Sequence, residues 1–119
     1  MYDSASMSDS PELPYWLALR RAGLGSSNFS LLLARYGGIR DAWQAPASEL
    51  SRIGMDQQYV AAMTKARATF APDREMELLH QHQARALTWL DSTFPESLKE
   101  IPQSPPVLFV RGALDPQFP

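Results

Sequence analysis

The side chains able to do chemistry in this sequence are poorly arranged for catalysis. His80 and His82 are two residues apart, so on a helix they point in different directions and cannot both ligate one metal ion. Glu75 and Glu77 lie close by, but a pair of surface histidines at a helix end accounts for the same residues. Asp73, Glu75 and Glu77 read as a solvated acidic face, because no nucleophile accompanies them in sequence. No serine stands in a Gly-x-Ser-x-Gly setting, and no Gly-x-Gly-x-x-Gly run follows a strand. The sequence has no cysteine, which excludes disulfides, zinc–thiolate sites and thiol nucleophiles. The expectation is a non-enzymatic chain with neither metal nor cofactor.

One set of residues suits anion binding. Gly23-Leu24-Gly25 joins two helical stretches in a segment that resembles a helix-hairpin-helix turn, and Ser26, Ser27 and Asn28 follow it. A glycine turn of this kind can bring the unpaired amides at the start of the second helix against a phosphate. Arg20, Arg21, Arg35 and Lys65 could add positive charge. A plain turn closed by capping glycines would look the same. A second copy at Ile53-Gly54-Met55 precedes Asp56, whose charge would repel phosphate, so that copy reads as structural. Trp16, Phe29, Tyr36 and Trp43 could stack on bases, but at helical spacing they read as core.

The charge is unevenly spread. The 119 residues carry a net charge of −2. Residues 12–72 hold seven basic groups against four acidic ones, giving +3, whereas residues 73–119 hold four against seven, giving −3. The first ten residues add Asp3 and Asp9. They lack the basic start and apolar core of a secretory signal and read as a flexible tail. No apolar run approaches a bilayer span, and a cysteine-free chain fits the cytoplasm.

The elements that must position these residues are short. Proline and glycine punctuation predicts helices over about 13–22, from caps among residues 26–28 to Tyr36, over 39–43 and 48–53, from an Asp56 cap to about Phe70, and from Pro72 onward. Ser26, Ser27, Asn28 and Asp56 are the expected N-caps. Trp16, Leu19, Phe29, Leu32, Leu33, Tyr36, Trp43 and Leu50 should share one core. After His82 the pattern changes to two strands, 86–90 and 107–110, with a turn at 91–95 and a helical turn at 96–100 between them. Both strands suit burial on two faces, as in an α/β sheet. Such a sheet needs further strands, so the segment reads as the incomplete start of a larger domain.

Taken in order, Trp16-Leu17-Ala18-Leu19, Gly23-Leu24-Gly25, the run 31–37, Ala42-Trp43 and Leu50 resemble the amino-terminal part of the DprA/Smf family of DNA-processing proteins. More specific are Ala86-Leu87-Thr88-Trp89-Leu90-Asp91, Phe94-Pro95-Glu96-Ser97-Leu98 and Pro105-Pro106-Val107-Leu108-Phe109-Val110-Arg111-Gly112. The resemblance implies a mainly α chain: a tail (1–11), a sterile-alpha-motif-like helical domain (12–83), and the start of an extended Rossmann-like domain (84–119). It further implies single-stranded DNA binding and loading of the RecA recombinase in natural transformation. The family's main DNA pocket, a Gly-Ser/Thr-Arg segment, has no counterpart in these residues. Two roles follow: protein interaction, including homodimerisation, or accessory DNA binding through the turn residues Gly23, Gly25, Ser26, Ser27 and Asn28 with Arg20, Arg21, Arg35 and Lys65.

Overall fold

The computed structural model describes residues 12–111. The expected N-terminal tail, and the part of the second domain beyond Arg111, lie outside the described residues. Within them the order is α1 (Leu13–Arg21), α2 (Ser26–Tyr36), α3 (Ile39–Trp43), α4 (Ala47–Arg52), α5 (Gln57–Ala68), α6 (Pro72–Gln81), β1 (Ala84–Thr88), α7 (Glu96–Lys99) and β2 (Val107–Arg111). A helical bundle is therefore followed by a two-stranded sheet, as the sequence pattern predicts.

Helix termination sets the layout of the bundle. At the end of α1 the Leu24 amide donates to the Leu19 carbonyl at 3.1 Å and the Gly23 amide to Arg20 at 3.0 Å, while Gly23 takes φ +101°. This is a Schellman turn, which uses a left-handed residue to satisfy carbonyls left open at the helix end. The end of α4 repeats it: Met55 donates to Leu50 at 3.2 Å, Gly54 donates to Ser51 at 3.1 Å, and Gly54 has φ +107°. In both turns the residue after the glycine is apolar and buried, as is the residue that accepts its hydrogen bond.

The expected side-chain caps do not form. Gly25, in extended conformation, is the N-cap of α2, so Ser26, Ser27 and Asn28 fall inside the helix. Asp56 does occupy the N-cap position of α5, but its carboxylate makes no capping bond. A longer-range contact does cap a helix. The Glu12 carboxylate accepts from the Ile39 and Arg40 amides at 2.6 and 3.1 Å, while the Glu12 carbonyl accepts from the Tyr15 amide of α1. One residue thus ties together two helix starts. A Cβ on Gly38 would meet this carboxylate at 3.2 Å, so glycine there permits its approach.

The core is continuous across bundle and sheet. Trp16, Leu19, Phe29, Leu32, Trp43 and Leu50 are buried, and Leu33 and Tyr36 pack against them half-buried. Ala86 and Val107 of the sheet belong to the same cluster. Trp89 meets Trp16 and Phe29 edge-on, with ring centroids at 6.4 and 6.3 Å, and its indole N–H donates to the Ser104 hydroxyl at 3.1 Å.

The first strand lies two residues earlier than its apolar run suggests. Asp91 is the cause: its carboxylate accepts from the Thr88 amide at 2.7 Å, and its own amide donates to the Thr88 carbonyl at 3.0 Å. This closes a tight turn that ends β1 at Thr88 and leaves Leu90 55% exposed. The strands pair antiparallel with each other, Ala86 opposite Phe109 and Leu87 opposite Leu108. The expected burial on both faces is only partial, since Leu108 and Val110 are half-buried and Phe109 is 42% exposed.

Candidate functional site

The structure distributes the sequence-derived candidates over three places. Gly25, Ser26, Ser27 and Asn28 line a groove of about 750 Å³. The second turn, through Gly54, Asp56 and Tyr59, and the segment 103–106 complete its walls. The start of α2 and the Schellman turn at Gly54 therefore open on one groove. It continues past Ser26, Ser27, Gln103 and Ser104 into a neighbouring depression that holds Lys99 and Trp89. The unpaired amides of α2 and several hydroxyls and amides suit an anion there, while Asp56 opposes one. Gly23 shapes the turn through its left-handed backbone and is not among the residues lining the groove.

Arg20, Arg21 and Lys65 lie elsewhere. Arg20 and Arg21 end α1, where cations complement the helix dipole. Arg21 forms a bidentate pair with Glu75 of α6, both N–O distances being 2.6 Å. Glu75 is only 5% exposed, and a buried carboxylate held at both oxygens is the geometry in which arginine outperforms lysine. This pair stands between two cavities. On one side lies a space of about 420 Å³ shared with Lys65, Thr69 and Phe70. On the other, about 450 Å³ is enclosed by Leu17, Arg20, Leu78, Leu79, His82, Ala84, Phe109 and Val110. There the Arg20 guanidinium lies 4.6 Å from the Phe109 ring centroid, within cation–π range.

Arg35 is in a third place. At the end of α2 it pairs with Glu49 at 3.2 Å and lies over the Tyr36 ring. Burial and the adjacent Glu49 carboxylate push the Tyr36 hydroxyl above its ordinary pKa, against the opposing influence of Arg35 and Arg67. Arg67, not singled out from the sequence, donates to the Ala45 carbonyl at 2.6 Å, and burial lowers its pKa. Phe109 and Glu75 were also missed as partners of Arg20 and Arg21. Their separations of 89 and 54 residues along the chain leave no local signal. No group of three or more histidine, cysteine or acidic residues placed to hold a metal ion occurs among the described residues. No helix among them is long and apolar enough to cross a membrane.

Bundle, turns and antiparallel strand pair together define a small α-rich module in which Arg20, Arg21, Arg35 and Arg67 are engaged with its own residues. Comparison with known proteins gives one relationship for this module. The chain is 30% identical to Protein Smf of Synechocystis sp. over 106 residues, 87% of this chain and 27% of that protein. It is thus a distant relative of the Smf proteins and spans about a quarter of the length of the relative it matches. No family model matches the chain, and no solved structure matches it.

Proposed function

We propose that this chain is a non-catalytic accessory part of a cytoplasmic DNA-processing protein of the Smf kind, and that it works mainly by protein contact. In the whole protein the partners would be single-stranded DNA, held outside these residues, together with RecA and a second copy during natural transformation. The observation that carries this reading is the engagement of the arginines. Arg21 is held by Glu75 and Arg35 by Glu49. A face that grips DNA leaves such groups to replace counterions on phosphates. The sheet supports contact as well, because each strand pairs along one edge only among the described residues, and open edges accept another chain.

A specific observation favours a second reading. α2 begins without a side-chain cap and faces a polar groove, so accessory phosphate binding there has a physical basis. A fluorescence-anisotropy titration of the 119-residue chain with labelled oligothymidylate separates the two. The contact reading expects a Kd no tighter than about 10⁻⁴–10⁻⁶ M at physiological salt, weakening steeply with added salt. Nanomolar binding that survives salt, and is lost in Ser27→Glu, would replace it with the second reading.

A further inference from the structure

We propose that the cavity between α1, α6 and β2 docks an acidic peptide segment of a partner protein that carries a bulky apolar side chain. This rests on the contact reading above and states where one such contact falls. The cavity of about 450 Å³ lies within the range of small-ligand sites and can take one large apolar side chain. Its floor is aliphatic: Leu17 of α1, with Leu78 and Leu79 of α6. Glu75, Leu78, Leu79 and His82 follow i, i+3, i+4, i+7 spacing, so a single face of α6 and its C-terminal cap supply that wall. Phe109 is 42% exposed beside them, and covering its ring would remove apolar surface from water.

The rim gives the sign of the partner's charge. Arg20 stands over Phe109 at 4.6 Å, and Arg21 also borders the space. Glu75 is the acid that lines it. Both its oxygens are taken by Arg21 at 2.6 Å, which neutralises that charge locally. Asp73 and Glu77, on the same helix, do not line the cavity. Arg20 is therefore the uncancelled charge at the mouth, and it favours carboxylates over basic segments. A nucleic-acid strand would also bring negative charge. It would need an open ring face for base stacking, whereas Arg20 already covers one face of Phe109 and the rest of the wall is aliphatic.

The test is an NMR titration of the isotope-labelled 119-residue chain with a synthetic peptide of the order Glu-Glu-Leu-Glu-Glu-Phe. The same peptide, labelled with fluorescein, gives affinities by anisotropy. Amide shifts should concentrate at residues 17–21, 78–84 and 109–110. Affinity should fall by about tenfold or more in Arg20→Glu and in Phe109→Ala, the size expected when a central contact is removed. Phe109→Leu should retain most of it, and Arg52→Glu, on the exposed end of α4, should leave it unchanged. A peptide with lysine in place of glutamate should not bind. Arg20→Glu alters an exposed side chain and keeps the test decisive if Phe109→Ala unfolds the strand pair. Absence of shifts at the cavity, or binding indifferent to Arg20→Glu, would overturn the proposal. So would an oligothymidylate that shifts these residues when the acidic peptide does not. A silent cavity in a chain that still self-associates would sink this site alone, whereas tight DNA binding elsewhere on the chain would sink the contact reading and spare the cavity.

Discussion

The helical bundle and the strand pair share one core but solve the burial problem differently. In the bundle the large apolar side chains turn inward, so that Trp16, Phe29, Leu32 and Leu50 are at most 1% exposed. In the strand-bearing part Leu90, Ile101 and Phe109 are 55%, 47% and 42% exposed. Charge follows the same division. Arg21 and Arg35 are paired with acids, and Arg20 reaches across to the aromatic ring of β2. The large apolar side chains left exposed among the described residues thus gather around the strands. A helix can satisfy its own backbone, whereas a strand always needs a neighbour.

The contrast can be broken most forcefully at Leu32, which is fully buried. Leu32→Ala should cost about 2–5 kcal/mol in urea denaturation, as large-to-small changes in packed cores do. The half-buried Leu33 should give a smaller loss, and a reversed ranking would mean that the α2 register is wrong. Next comes the Arg21–Glu75 pair. Arg21→Ala strands a buried carboxylate and should lower stability by roughly 1–3 kcal/mol, measured by the same denaturation. Because the arginine side chain is 59% exposed, water can re-solvate part of the site, which places the cost toward the lower end. The two Schellman turns should respond alike. A Cβ at Gly23 or Gly54 meets nothing within 4 Å, so alanine there pays only for a left-handed backbone, about 1–2 kcal/mol each. A much larger loss at one turn than at the other would show that the pair differ in more than their N-caps.

Most helix positions were legible in the sequence because glycine and proline mark chain reversals through local sterics. Gly23, Gly37 and Gly54 do stop their helices with positive φ. What was not legible was tertiary. Ser26, Ser27, Asn28 and Asp56 have capping chemistry, but Gly25 opens α2 and the capping of α3 comes from Glu12, 27 residues away. The apolar run 86–90 hid the strand end, which is set by the Asp91 carboxylate folding back on Thr88. The candidate cations were read from type and proximity along the chain. The fold parts them, leaving Arg35 with Glu49, Arg20 on Phe109, and Arg21 between the cavities that hold Lys65 and His82. A residue's partner across 50 or more positions is a product of packing and leaves no periodic trace.

The most direct test of the central claim, that this chain acts through contact at its strand-bearing side, is sedimentation velocity of the 119-residue chain across a wide concentration range. The chain is compared with Leu108→Lys, a change at a half-buried position of β2. Concentration-dependent association is expected for the unaltered chain, because its strand edges and exposed apolar side chains can pair with another copy. The Leu108→Lys variant should stay monomeric at the same concentrations with its helical circular dichroism unchanged. A chain that remains strictly monomeric throughout, with β2 amides protected from hydrogen exchange, would contradict the account.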